Sequence, residues 1–359
     1  MKKRITLRDI AQKVGVSHVT ISLALRGSTE VSRKRREEIC KVAEEMGYRP
    51  DPVLNALNFY RHSKERQTDI GTIAFVHNWP TDDFRSLKIE LFTQYYEGAV
   101  KQAKELGYNT EEFSLSTSNM TPKRLHSVIL NRGIRGVIIP PMRDAGDTID
   151  WDWSKLSSVA MGLSMTNPPI HRVANFHSHS MSLCVEKLVE KGHRKIGLVL
   201  SAQQDQRSEN AYTGAYLSSV FRLTAEPPKI FVFPGPQDKD FIGFLKWFKK
   251  EKFEALIVLN ASYVSILLEH GISIPDEVSV ASPHLLATEE SQPRIDSTDI
   301  AHSLEEGYKI GATATRVLIR MLNQNETGIP SPQISAFIRG TWVDGCTIAK
   351  RTNRPTPNR

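Results

Sequence analysis

The chain has 359 residues, of which 40% are hydrophobic and 24% charged, with a formal net charge of +7. That length suits two or three compact units, and the composition is that of an ordinary globular protein rather than a disordered or disulfide-stapled one. No apolar run approaches the ~20 residues needed to cross a bilayer, and the basic start Met1-Lys2-Lys3-Arg4 leads into no apolar stretch, which argues against a membrane partner or a secretory leader and for the cytoplasm.

The positive charge is concentrated at one end. Residues 1–66 hold 15 Lys or Arg against 8 Asp or Glu, while the rest of the chain holds 32 of each. A basic head on a neutral body is the footprint of a module that binds a polyanion, although a solvated basic helical domain would show the same excess. Cys40, Cys184 and Cys346 have no metal or redox spacing and read as reduced, partly buried thiols.

Residues 1–49 predict three short helices. Thr6 is placed to cap the first, with Asp9 in the capping-box position. Leu7, Ile10, Ala11 and Val14 follow at helical spacing, and Gly15 ends the run. Ser17 caps a second helix that reaches about Arg26, and Ser32 caps a third with Ile39, Val42, Ala43 and Met46 on one face. Helix, tight turn, helix and a closing third helix make a helix-turn-helix head. In the second helix, Val16, Ile21, Ala24 and Leu25 are assigned to the core. His18, Val19, Ser22, Leu23 and Arg26 are assigned to the outside.

The N-terminal end of such a helix meets base edges in the major groove. His18, Val19, Leu23 and Arg26 are therefore the base-reading candidates, and Val19 and Leu23 offer only apolar surface, as to a thymine methyl. Thr6, Ser17, Thr20, Ser22 and Tyr48 are the phosphate candidates. Residues 50–69 read as a short hinge helix and polar linker, too small to carry a core of its own.

From residue 70 to 346 strands alternate with helices. Strands are expected at Ile70–Val76, Gly136–Ile139, Val159–Gly162, Ile196–Leu200, Ile230–Phe233, Ala255–Leu259 and Val278–Ala281. Helices are expected at Glu90–Leu106, His179–Lys191, Asn210–Phe221, Phe241–Lys250, Tyr263–His270 and His302–Leu322. Repeated βα units imply parallel sheets, and so many strands imply two doubly wound subdomains with a ligand cleft between them at the strand C-termini. Residues 347–359 read as a flexible tail.

The head segments Thr6-Leu7-Arg8-Asp9-Ile10-Ala11, Gly15-Val16-Ser17-His18-Val19-Thr20-Ile21-Ser22, Val31-Ser32 and Met46-Gly47-Tyr48-Arg49-Pro50 resemble the head of the lac-repressor family of bacterial regulators. In the body, Gly133-Ile134-Arg135-Gly136-Val137-Ile138-Ile139, Gly192-His193-Arg194-Lys195-Ile196 and Gly271–Val280 are similar to that family as well. The resemblance implies an all-α helix-turn-helix head and an α/β body like a periplasmic binding protein. The body would serve for effector binding and dimerisation, as two interleaved subdomains of about 70–172 with 297–325, and 173–296 with 326–346. It also implies a homodimer or higher oligomer on a double-stranded, roughly palindromic operator, with a hinge carrying Val53, Asn55 and Leu57 in the minor groove. Leu57 would be the side chain that wedges between base steps.

The resemblance further implies a small-molecule effector such as a sugar or sugar derivative. This chain departs from the family where polar residues often meet sugar hydroxyls, carrying Ala211, Ala261 and His284. The remaining candidates near strand ends are Trp79, Phe84, Arg143, Asn175, His177, Arg207, Asn260 and His284. Two rival readings stand beside this one. An enzyme lacks its usual signatures here, with no glycine-rich dinucleotide or phosphate loop, no His-Glu-x-x-His and no nucleophile elbow, and no cofactor or metal is expected. A ligand-independent regulator would use the body only as a dimerisation scaffold.

Overall fold

The structure, a computed structural model, describes residues 5–25, 31–46, 71–116, 120–233, 240–284 and 300–351. The expected hinge at 50–69, with Val53, Asn55 and Leu57, lies outside the described residues, as do Arg26 and Tyr48. The chain divides into two compact units: a head holding the N-terminal helices, and a body holding the strands from Gly71 onward.

The head contains α1 (Leu7–Val14), α2 (His18–Leu25) and α3 (Arg33–Glu45). Thr6 and Asp9 form the capping box, and Gly15 closes α1 in the left-handed region at φ 75, where a side chain would be strained. Ser17 Oγ accepts the Thr20 N–H at 3.1 Å and so starts α2 one residue beyond that turn. Ile10, Ala11, Ile21, Ala24, Val31, Ile39 and Ala43 form the buried core. Arg35 donates to the Val14 carbonyl at 3.2 Å and pairs with Glu38 at 2.7 Å, which ties α3 to the end of α1. Leu23, read as outward-facing, is half-buried and packs against this core. Helix α2 has apolar residues on every side, so its sequence alone assigns faces poorly.

The body has two six-stranded sheets. Its first lobe carries β1 (Gly71–His77), β2 (Tyr108–Ser114), β3 (Gly136–Ile139), β5 (Ser157–Met161), β7 (His171–Asn175) and β13 (Ser335–Ile338), in the order β13-β7-β5-β3-β1-β2, all parallel. Its second lobe carries β8 (Ile196–Ser201), β9 (Lys229–Phe233), β10 (Ala255–Val258), β11 (Ser279–Ser282), β12 (Ala301–Leu304) and β14 (Thr341–Val343), in the order β14-β12-β11-β10-β8-β9. Only β14 there runs antiparallel to its neighbour. A small parallel pair, β4 (Asp147–Thr148) and β6 (Met165–Asn167), lies apart from both sheets.

Helices α4 (Glu90–Glu105) and α5 (Pro122–Asn131) belong to the first lobe; α6 (His177–Glu190), α7 (Ala202–Gln206), α8 (Ala211–Leu223), α9 (Phe241–Glu251) and α10 (Ser262–Glu269) follow, and α11 (Gly307–Gln324) comes after β12. In the second lobe, α6 and α8 cover one face of the sheet through Met181, Leu188, Tyr212 and Tyr216, while α9 and α10 cover the other through Phe244, Val264 and Leu267.

The observed division of the body differs from the expected one. Residues 301–304 pair in the second sheet and 335–338 in the first, and the first crossing falls after Asn175 rather than at 172. The long helix expected from His302 begins at Gly307, because β12 occupies the residues before it. Both reassigned strands are four residues long, too short to betray a period. The chain thus crosses between lobes near residues 176, 305 and 339. These crossings are bonded to one another: Phe176 N–H donates to Ile338 O at 2.8 Å, and Ser303 Oγ to Ser180 Oγ at 3.1 Å.

The expected flexible tail is in part docked. Thr347 is fully buried and donates to Val280 O at 2.8 Å, and Arg351 N–H donates to Lys191 O at 2.9 Å. Backbone bonding holds this segment despite its polar composition; residues 352–359 lie outside the described set. Of the cysteines, Cys184 is buried, while Cys40 and Cys346 are exposed.

Helices α4 and α11 meet backbone to backbone. A Cβ on Gly98 would lie 2.2 Å from Tyr308 O, and one on Gly311 would lie 2.1 Å from Tyr95 O. Such contacts are far inside van der Waals distance, so only glycine permits this crossing. Gly311→Ala is expected to destabilise the body by about 2–3 kcal/mol through overpacking. Thermal unfolding checks this; a melting temperature equal to that of the native chain would show that the helices separate freely.

Candidate functional site

The first site is on the head. His18 and Val19 occupy the opening turn of α2, both exposed, with Val19 at 53%. Thr20 and Ser22 are half-buried, while Thr6 and Ser17 are exposed. The Thr6 hydroxyl accepts from Asp9 N–H and donates to Asp9 Oδ2 at 2.7 Å, so its proton is engaged in the cap. The Ser17 and Thr20 hydroxyls are hydrogen-bonded to each other at 2.9 Å. The first turn of α2 thus presents one imidazole and one apolar side chain beside backbone N–H groups, a surface suited to a groove edge and a phosphate.

The second site is the cleft between the two lobes of the body. Counted out to its open mouth, it measures about 600 Å³. Its interior proper is smaller, about 100 Å³. Helix α4 contributes Leu91, Phe92 and Tyr95; α7 and the turn after it contribute Gln204, Arg207 and Ser208; Tyr212 comes from α8. His177 opens α6, His284 follows β11, and Glu305 follows β12. These are the carboxyl ends of the strands, where open α/β sheets leave a crevice.

The floor of the cleft is a buried polar network. Tyr95 donates its hydroxyl to Glu305 Oε1. His284 Nδ1 stands 2.7 Å from Glu305 Oε2, outside hydrogen-bond alignment. Burial would raise the Glu305 carboxyl pKa, but His284, then His177 and the Tyr95 hydroxyl, outweigh it and hold the group below its ordinary value. Glu305 is therefore a carboxylate at neutral pH. Burial lowers His177 to about 4, against the upward pull of Glu305, so this imidazole is neutral. The Tyr212 hydroxyl and His177 Nδ1 are hydrogen-bonded at 2.8 Å. Tyr95 and Tyr212 are both raised well above their ordinary values, chiefly by burial, and stay protonated donors.

The mouth is bridged by polar contacts between the lobes. Arg207 Nη1 donates to Met142 O at 2.5 Å and also to Arg143 O. Gln203 donates to Asp144 at 2.9 Å, and Arg172 pairs with Glu209 at 2.6 Å.

Of the eight body residues singled out in the sequence, His177, Arg207 and His284 line the cleft. Phe84 is fully buried, stacks on Phe92 at 5.3 Å, and so has no face to offer a ligand. Trp79 donates to Pro141 O at 2.9 Å and packs on Phe92, outside the lining. Arg143 is exposed and outside the lining, although its carbonyl accepts from the lining residue Arg207. Asn175 is buried and donates to His177 Nδ1 at 3.3 Å, which makes it a neighbour of the site rather than a wall. Asn260 accepts the Ser262 N–H at 2.9 Å at the start of α10. Sequence reasoning missed Tyr95, Tyr212 and Glu305. Glu305 was hidden because the helical pattern was extended back over β12, and the tyrosines because their spacing reads as core.

Comparison with known proteins agrees with both halves. Residues 6–51 match the model for bacterial regulatory proteins of the lacI family, and residues 185–342 match the periplasmic binding protein-like domain. Catabolite control protein A of Staphylococcus xylosus is 21% identical over 345 residues, covering 91% of this chain and 95% of that protein. The lac repressor dimer bound to operator and the anti-inducer ONPF superposes with a TM-score of 0.56 at 18% identity, over 97% of this chain and 100% of that one. The transcriptional regulator CelR in complex with cellobiose gives 0.55 at 16% identity, over 96% and 100%. Among the described residues no helix is long and apolar enough to cross a membrane. The relatives are transcription regulators, not enzymes. With a helix-turn-helix head and a two-lobed, periplasmic-binding-protein-like body, the chain belongs to the lacI family of DNA-binding transcription regulators.

Proposed function

We propose that this regulator is a ligand-controlled repressor, acting in the cytoplasm as a homodimer on a palindromic operator. The observation that carries this reading is the enclosed polar floor of the body cleft, in a chain whose head is built to bind DNA. A body serving only as a scaffold has no need of an ionised, buried Glu305 held among Tyr95, His177 and His284. The bound cellobiose of CelR and the bound anti-inducer of the lac repressor support a sugar or sugar derivative as effector.

In this proposal His18 and Val19 read bases, with Leu23 and Arg26 beside them. Thr6, Ser17, Thr20, Ser22 and Tyr48 take phosphates, and Val53, Asn55 and Leu57 enter the minor groove. Effector in the cleft touches His177, Arg207 and His284 and shifts the closure of the two lobes. Closure alters the free energy of DNA binding by a coupling of ~1–3 kcal/mol.

Selection of genomic fragments by the purified protein, followed by sequencing, tests the reading. A palindromic motif is expected. Binding that depends on salt but not on sequence would instead point to an architectural role. His18→Ala is expected to relax preference at one base pair in each half-site, with a loss of about tenfold in specific affinity. An unchanged motif would remove His18 from the readers.

A further inference from the structure

Glu305 is a buried carboxylate whose counter-charge among the described residues is a histidine ring, charged only when protonated. It is 7% exposed, and among the described residues its ion-pair partner is the His284 ring, with no lysine or arginine beside it. Oε2 has no hydrogen-bond partner, and the residue lines the cleft. Arg207 lines the same cleft but spends its Nη1 on the carbonyls of Met142 and Arg143. A carboxylate in this condition is stabilised by a donor that also carries positive charge, since charge-assisted bonds are roughly twice as strong as neutral ones.

The walls favour the same chemistry. Tyr95 and Tyr212 line the cleft with Glu305, while the Phe92 ring in the same lining is stacked on Phe84 and Tyr95. Aromatic faces carry negative potential and attract cations within about 6 Å of the ring centre. The neighbouring Trp79 already serves a cation in this way, with the Arg207 guanidinium 5.9 Å from its ring. A phosphate or carboxylate on the ligand would meet Glu305 head-on. A lone hydroxyl would satisfy the hydrogen bond and leave the charge unmatched. His177 completes the pattern: its Nδ1 is engaged by the Tyr212 hydroxyl, which leaves Nε2 as the ring nitrogen to meet a polar group of the ligand.

We propose that the cleft takes a hydroxylated primary amine, of the amino-sugar type, whose ammonium group bonds Glu305 beside Tyr95 and Tyr212. The inference rests on the ligand-controlled reading above and narrows its ligand.

The test uses the full chain and matched pairs of probes: glucosamine with glucose, galactosamine with galactose, and ethanolamine with ethylene glycol. Binding is followed by calorimetry, and operator affinity is measured in parallel. At least one amine is expected to bind tenfold or more tightly than its hydroxyl partner. Glu305→Gln, which keeps the shape and removes the charge, is expected to bring that ratio close to one. The native-chain ratio decides the matter even if the variant does not fold. Hydroxyl partners binding as tightly as the amines, or no amine binding at all, would overturn the inference. A hydroxyl compound that alone binds and alters operator affinity overturns it while upholding ligand control. Amine binding that leaves operator affinity unchanged upholds it and overturns ligand control.

Discussion

Two helix backbones in the body meet directly. Gly98 and Gly311 let α4 and α11 touch with no side chain between them, and Thr315 Oγ1 donates to Ala99 O at 3.3 Å across the same contact. The cleft depends on that contact from both sides. Tyr95 lies one turn before Gly98 on α4, and Glu305 lies just ahead of the start of α11. Their hydrogen bond therefore joins two helices whose spacing is already set by sterics. A spacing larger by one methyl group would move the phenol away from the carboxylate and leave a buried charge short of a donor, a loss of roughly 1–3 kcal/mol.

The same residues explain why the polar floor sits where it does. Glu305 belongs to one of the three crossing segments, and Asn175 and His177 flank another. Ser180, Ser303 and Gly340 bring those segments together, with no room for a Cβ on Gly340, which would lie 2.5 Å from Ser303 Oγ. Groups placed at the crossings move least when two lobes open or close. A charged network there would keep its geometry in such a motion, while the contacts that α7 and Arg207 make to the Met142–Asp144 loop would be the ones to change.

Much of this was legible in the sequence, and the limits have physical causes. The head could be read residue by residue because caps and turn glycines are local: Thr6 with Asp9, Gly15 and Ser32 each act within four residues. The alternation of strand and helix gave the fold class for the same reason. Strands such as β12 and β13 escaped because four residues carry no usable period, and their partners lie far away in sequence. The cleft was only partly legible. His177, Arg207 and His284 stood out as polar residues near strand ends. Phe84 stood out too, yet it turned inward to stack on Phe92. Nothing local in Tyr95 or Glu305 announces that they meet, since 210 residues separate them.

Control by a ligand requires that the closed cleft be only marginally stable without one. The contacts across the mouth fit that requirement. The Arg172–Glu209 pair has its carboxylate half exposed, and Gln203–Asp144 is an exposed hydrogen bond. An exposed contact such as Gln203–Asp144 contributes about 0–1 kcal/mol, while the Arg172–Glu209 pair, with its guanidinium buried, holds more firmly. The Arg207 bonds to two main-chain carbonyls add to the closed form, but they hold a cation on neutral acceptors, which a ligand group can replace. A closure held by a few such contacts would be tipped by a differential ligand affinity of a few kcal/mol, because a ligand shifts an equilibrium only by the difference between its affinities for the two forms. In the proposed ligand control, a ligand donor reaching Glu305 would supply such a difference, since it gains most when closed lobes exclude the water that would otherwise compete.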